Sequence, residues 1–328
     1  MDATEQETAT SATERVTRLE FDVEWPPKHV AAYLIEDPRP ILIDAAAPGE
    51  AAEATVREGL DAAGYEPADL EAVVVTHPHS DHIGQVPRFR DAGVDVYAPE
   101  PVLEQLRRDA AHLRAGVHEV GRSIGLAADR LEREADRAVD SLTRNRRLLD
   151  PDHAVGFGFE DPLSIAGVAF EPIHTPGHQI HHATLATTLG DERVLFSGDA
   201  LIEPFRAAAL HVGIDYGAYD AVDAFHASMD RLAERDVDRV FPGHGPVFTD
   251  YAGAIEGTRA SLAALVEDTA AAVAAVGPAT PMAVVTERVG ETDHPAHLLD
   301  TLGALGTLES RGAVTYALED GVRYYEPV

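Results

Sequence analysis

Three imidazoles and a carboxylate crowd into the six residues His77-Pro78-His79-Ser80-Asp81-His82, directly after the apolar run Val73-Val74-Val75 and Thr76. A buried strand that ends in such a loop delivers several donors to one point, because residues at a strand end converge there. Neutral imidazole nitrogens and carboxylate oxygens suit a borderline divalent ion, zinc first, with iron and manganese also satisfied by these donors. A functionless His-rich loop is the competing reading, and it gives no reason for the strand that leads into the cluster. Further donors follow downstream, each in a short loop. His178 ends Thr175-Pro176-Gly177-His178, Asp199 follows the apolar Val194-Leu195-Phe196, and His244 lies in Phe241-Pro242-Gly243-His244-Gly245 after Val240. His77, His79, Asp81, His82, His178, Asp199 and His244 are too many for one tetrahedral ion. They fit two divalent metal ions that share a bridging carboxylate.

In this order the motifs resemble the metallo-β-lactamase-fold hydrolase superfamily, over roughly residues 16–250 and most of all its glyoxalase II-like branch. The resemblance implies an α/β fold, a four-layer αββα sandwich. It also implies that His77, His79 and His178 hold a first metal, Asp81, His82 and His244 a second, and that Asp199 bridges them. Asp44 ends the apolar Ile41-Leu42-Ile43 before Pro48-Gly49 and matches the superfamily's early aspartate, expected to support the ligands from behind. A plain turn aspartate at a strand end is the other reading of Asp44. The chain has no cysteine, so members that use a cysteine ligand are a poor match.

The implied chemistry is hydrolysis. A hydroxide bridging the two metals would attack a thioester, ester or lactone carbonyl, with Asp81 and Asp199 as the catalytic carboxylates that place it and an anionic substrate preferred. Three alternatives stay open: a mononuclear iron persulfide dioxygenase, an RNA- or phosphodiester-cleaving hydrolase, and a metal-binding regulator without turnover.

Composition narrows the setting. The chain has 328 residues, 45% of them apolar, and a net charge of −31. That is enough apolar content for a sizeable core. Lys28 is the only lysine, so nearly all positive charge is arginine. An acidic, arginine-over-lysine surface points to a halophilic protein, since concentrated salt screens the self-repulsion. The same charge disfavours nucleic acid as a partner and leaves a small-molecule substrate. No apolar run approaches the ~20 residues of a membrane span. The acidic Asp2-Ala3-Thr4-Glu5-Gln6-Glu7 lacks the pattern of a secretory signal, so a cytoplasmic location is expected. A homodimer is compatible with all of this.

The elements that must position the donors follow from apolar periodicity and turn residues. Residues 1–15 read as a disordered tail and 16–253 as the catalytic domain, with strands at 16–21, 30–35, 41–44, 73–76, 168–173, 184–189 and 194–197. The turn Asp37-Pro38-Arg39-Pro40 joins the second and third of these. Helices are expected at 50–63 and 219–235. A helical insertion spans about residues 101–150, with Gly116, Gly121 and Gly125 as candidate breaks. Its ten arginines against nine acids make it locally positive in a strongly negative chain. Either its arginines meet an anionic substrate as a lid, or they form i,i+4 pairs on a wet helix face. Residues 254–328 read as three helices and a hairpin, a winged-helix-like C-terminal domain whose acidity speaks against DNA. His174, His181, His182, His112, His118, His211, Tyr216 and Tyr219 are expected in packing or near the site rather than as ligands.

Overall fold

The computed structural model describes residues 11–328 apart from Trp25, Asp37, Pro38, Val212 and Tyr216. The expected disorder of residues 1–10, the turn at Asp37-Pro38 and the placing of Tyr216 lie outside the described residues. The last part of the expected tail is ordered: α1, Ala12–Arg15, is a helical turn that buries Ala12 completely.

One mixed sheet runs in the order β1 (Val16–Asp22), β2 (His29–Ile35), β3 (Ile41–Ile43), β4 (Ala72–Val74), β5 (Asp95–Pro99) and β6 (Val155–Phe157). A second joins β7 (Leu163–Ile165), β8 (Val168–His174), β9 (Ala183–Leu189), β10 (Glu192–Gly198) and β11 (Arg239–Pro242), with β11 at the edge beside β10. Strand periodicity decides what lies between and outside them. On β2, Ala31, Tyr33 and Ile35 point at Phe170, Leu185 and Phe196 of the second sheet. Val30, Ala32 and Leu34 point the other way, into the helices outside the first sheet. Both faces of β2 are therefore apolar, as a strand buried on two sides requires.

The helices are the outer layers. α2 (Glu50–Ala63) buries Ala52, Val56 and Leu60 at four-residue spacing, and Gly64 ends it in the left-handed region at φ 83°. The short α3 (Ser80–Ile83) and α4 (Val86–Asp91) lead from β4 to β5. Parallel β5 and β6 need a crossover between them, and the insertion provides it as α5 (Glu100–Leu106), α6 (Ala110–Ser123) and α7 (Ala128–Leu148). Over the second sheet lie α8 (Ala221–Ala233), α9 (Tyr251–Val276), α10 (Pro281–Val289) and α11 (Pro295–Ser310), followed by the hairpin β12 (Val314–Glu319) and β13 (Val322–Pro327). Val222 and Phe225 of α8 share one apolar cluster with Leu262, Leu305 and Tyr325, so the C-terminal elements pack into the same outer layer. Thr280 caps α10, its hydroxyl accepting from the Ala283 amide at 3.2 Å with Pro281 in the first turn.

The insertion breaks at Gly125, one of the candidate positions, and also at a place that the apolar stripe does not mark. Its first break falls at Arg107 to Asp109, where the Asp109 carboxylate accepts the His112 amide at 2.8 Å and caps α6. Of the three glycines, only Gly125, at φ 80°, ends a helix. Gly121 lies inside α6, and a β-carbon there would sit 2.3 Å from Leu131 Cδ1. The missing side chain lets α6 and α7 cross closely.

Among the described residues, no helix is long and apolar enough to cross a membrane.

A two-group metal centre at the strand ends

Parallel strands end on one side of a sheet, and the ligand loops lie at such ends. Asp44 follows β3, the His77 loop follows β4, and His244 follows β11, which runs parallel to β10 and its Asp199. Loop-to-loop hydrogen bonds fix them together. The Ala45 amide donates to the His82 carbonyl at 2.7 Å, and the Ala31 amide donates to the Gly243 carbonyl at 2.8 Å. Asn145 of α7 donates to the Pro78 carbonyl at 2.7 Å, so the insertion grips the metal loop directly. Gly243 is required by space: a β-carbon would lie 2.4 Å from Asp199 Oδ1 and 2.7 Å from His82 Cε1. Gly198 adopts φ +48°, and a β-carbon there would meet His182 Nε2 at 2.6 Å.

The seven expected donors all come together, as two groups. His77, His79, His178 and Asp199 form one and Asp81, His82 and His244 the other, with donor atoms within 4.8 Å of one another in each. Asp199 reaches both. Its Oδ2 lies 3.3 Å from His178 Nε2 and 3.4 Å from His244 Nε2, and its Oδ1 lies 3.4 Å from His82 Nε2. His244 Nε2 is 3.5 Å from Asp81 Oδ2.

Each imidazole is oriented by a partner at its far nitrogen, which decides its tautomer. His178 Nδ1 donates to the Ala208 carbonyl at 2.9 Å and His244 Nδ1 to the His29 carbonyl at 2.6 Å. His82 Nδ1 donates to Asp44 Oδ2 at 2.8 Å. The Thr76 hydroxyl donates to Asp44 at 2.8 Å, which leaves its oxygen free to accept from His77 Nδ1 at 3.0 Å. The outer nitrogens of these four rings are therefore the ones that keep a proton, which leaves the inward nitrogens for a metal. His79 completes the pattern. Its Nε2 contacts the Gln179 amide, whose buried Oε1 has no partner. Exchanging the amide oxygen and nitrogen lets His79 Nε2 donate to the amide oxygen and leaves His79 Nδ1 as a lone pair. That nitrogen lies 3.1 Å from His77 Nε2 and 2.9 Å from His178 Nε2.

Three converging lone pairs repel one another unless a cation lies between them. In the second group His82 Nε2 and Asp199 Oδ1 are buried 3.4 Å apart with no other hydrogen-bond partner. A proton on His82 lies between them when no ion is present, and a divalent ion would take that proton's place. The residues present fit two metal ions.

The electrostatics agree. Burial, then the neighbouring imidazoles, push His77 and His79 well below the ordinary histidine value, and burial lowers His178 as well. These rings stay neutral and keep their lone pairs for a metal. Burial alone would also lower His82, but Asp199 and Asp44 on its two sides outweigh it and raise it well above the ordinary value. His244 is raised in the same way, with Asp199 overcoming burial. For Asp199, burial works upward but His244 and His82 hold the carboxyl well below its usual range. The pull felt by a proton at His82 is the pull that a cation would feel.

Asp44 is 3% exposed and serves the site rather than a surface turn, accepting from the Thr76 amide and hydroxyl and from His82. His182 lies outside both donor groups: its Nε2 accepts the Asp199 amide at 3.1 Å and its Nδ1 meets Thr175 Oγ1 at 2.9 Å, which fixes the Asp199 loop. His174 faces the Ile180 carbonyl at 2.7 Å and His211 the Gly217 carbonyl at 2.6 Å, both in packing roles. His118 pairs with Glu132, and Tyr219 lies under Arg323. Gln179 was not among the expected site residues. Its position directly after His178 is the only signal in the sequence.

The comparisons with known proteins agree with this geometry. The profile of the metallo-beta-lactamase superfamily matches residues 25–244. A probable metallo-hydrolase, YqjP, of Bacillus subtilis is 25% identical over 238 residues, covering 69% of this chain and 70% of that protein. A beta-lactamase-like protein 2 homolog of Caenorhabditis elegans is 25% identical over 178 residues, 54% of this chain, and the match spans only 43% of that relative. Among solved structures, a metallo-beta-lactamase family protein of Thermus thermophilus superposes with a TM-score of 0.78 at 22% identity, covering 96% of this chain and 99% of that one. A beta-lactamase domain protein of Burkholderia ambifaria gives 0.75 at 19% identity, covering 97% and 94%. With its αββα layers and its paired donor groups, the chain belongs to the metallo-beta-lactamase superfamily.

Proposed function

We propose that the protein is a dinuclear metal-dependent hydrolase acting on the carbonyl of a small thioester, ester or lactone, with zinc as the ion its histidine-rich donor set suits best. One observation carries this reading: Asp199 stands between the two donor groups, its Oδ2 3.3 Å from His178 Nε2 and 3.4 Å from His244 Nε2. When bound, two such ions supply a water acidic enough to act as nucleophile at neutral pH and positive charge for the developing oxyanion. The chain's own residues do the rest. Asp199 keeps the two groups in register, and Asp44, Thr76, Gln179 and the Ala208 and His29 carbonyls hold the rings in their ligating tautomers. Asp81 and Asp199 are the carboxylates beside the reacting carbonyl. They would place the attacking water, and Asp81 would take up the proton that it releases and return it to the departing thiol or alcohol. The charge of −31 supports a salt-rich setting.

Stepwise metal loading tests this. Turnover of a thioester and ester panel should appear with the second equivalent of zinc. A protein that binds a single iron, consumes oxygen with a persulfide and hydrolyses no ester would overturn it.

A further inference from the structure

One wall of the site opens into a cavity of about 250 Å³, with Pro78, His79 and Gln179 at its metal end. Its other walls come from three separate stretches of chain: Leu113 and Val117 of α6, Leu142 of α7, Ile214, and Leu298 and Leu299 of α11. All six are buried apolar side chains. The charges on the lining are already paired, Arg108 with Asp215 and Arg137 with Glu134. Three further arginines of the insertion are engaged as well. Arg146 donates to the Leu106 and Arg108 carbonyls, Arg107 to the Pro151 carbonyl, and Arg114 bridges Glu132 and Asp136 from α6 to α7. The cavity is thus suited to hydrocarbon rather than to an anion, and an anionic part of the substrate must lie outside it.

We propose that this cavity takes the acyl chain of the substrate, with the scissile carbonyl beside His79 and Gln179. The inference rests on the hydrolase reading and names its substrate class: linear, medium-chain acyl esters or thioesters. Water adds to the acyl carbon, the carbon–sulfur or carbon–oxygen bond breaks, and the leaving group departs with a proton as the fatty carboxylate forms. An apolar cavity of ~150 Å³ holds benzene, so one of this size holds about ten carbons on the same scaling. The walls belong to segments far apart in sequence, and Asn145 ties the α7 wall to the metal loop through the Pro78 carbonyl. Chain binding and the metal centre are therefore mechanically connected.

The test is a series of p-nitrophenyl esters from acetate to hexadecanoate on the zinc-loaded protein. It runs alongside calorimetric titration of butyrate and decanoate into the metal-free protein. Burial of each methylene should raise kcat/KM roughly fourfold, up to about ten carbons, and decanoate should bind more tightly than butyrate. Ala138 lies on the same cavity wall and is only partly buried, so Ala138→Phe should fill the space. It should lower the decanoate-to-acetate ratio of kcat/KM at least tenfold and remove the difference between the two carboxylates. Ala138→Leu, a smaller change, should lower both less and serves if the phenylalanine variant does not fold. A flat chain-length profile, with all esters hydrolysed equally, would overturn the acyl pocket and leave the hydrolase standing. Chain-length-dependent binding with no ester turnover would support the pocket and overturn the hydrolase.

Discussion

Asp44→Asn isolates the role of a residue that is not itself a metal donor but holds one, His82, by its far nitrogen. The aspartate lies at φ 58°, a left-handed conformation that asparagine also tolerates, so the backbone should not move. Its Oδ1 accepts the Thr76 amide at 2.8 Å, and its Oδ2 accepts His82 Nδ1 and the Thr76 hydroxyl, each at 2.8 Å. In the variant the retained oxygen serves the Thr76 amide, and the new NH2 faces His82. Two N–H groups cannot meet, so His82 must move its proton to Nε2. That nitrogen is the one aimed at Asp199 Oδ1, 3.4 Å away, and with a proton on it His82 cannot ligate. Loss of such an orienting partner typically costs about 10–100-fold in metal affinity, or about 1.4–2.7 kcal/mol. The effect should fall on the Asp81, His82 and His244 group, with the His77, His79 and His178 group much less affected. Competition titration with a chelator, read by mass-spectrometric metal analysis, separates the two. Wild-type affinity for the second ion, or equal weakening of both ions, would refute the tautomer argument.

Asp199→Ala removes the donor shared by both groups, so it should weaken both ions and abolish ester turnover, whereas His174→Ala should leave metal content near wild type. Metal loading should release protons chiefly from the His82 and His244 pair. Both are raised in the metal-free protein, whereas His77, His79 and His178 are lowered and already neutral. Calorimetry in buffers of different ionisation enthalpy should therefore report a release of protons on metal binding, and no release would contradict this assignment. Stability and activity should rise with KCl, because the Debye length falls from ~30 Å at 0.01 M to ~3 Å at 1 M and screens the charge of −31. A melting temperature unchanged across that range would count against salt adaptation.

The donors were legible because metal ligation needs particular side chains at strand ends, and both signals are local. His77 through His82, His178, Asp199 and His244 all reach the site that their types and spacing imply. Asp44 was legible through its match to the superfamily's early aspartate, whereas its place after an apolar strand alone also fitted a turn. The groups that orient the rings were not, since the Ala208 and His29 carbonyls are backbone and leave no mark in the sequence. Gln179 was missed because a single amide carries no pattern. Helices with a clear apolar spacing, such as α2 and α8, stood out. The short β5, β6 and β7 did not, because three to five residues show too little alternation. The break between α5 and α6 was hidden by an apolar stripe that runs through it, and only the Asp109 cap marks it. The cavity was invisible because its walls meet only in the folded chain.

The central claim is that Asp199 bridges two ions, and anomalous diffraction from crystals grown with excess zinc tests it most directly. Two peaks about 3.5–4 Å apart are expected, one at His77, His79 and His178 and one at Asp81, His82 and His244, with an Asp199 oxygen on each. A single fully occupied peak, with His82 and His244 turned away from it, would contradict the account.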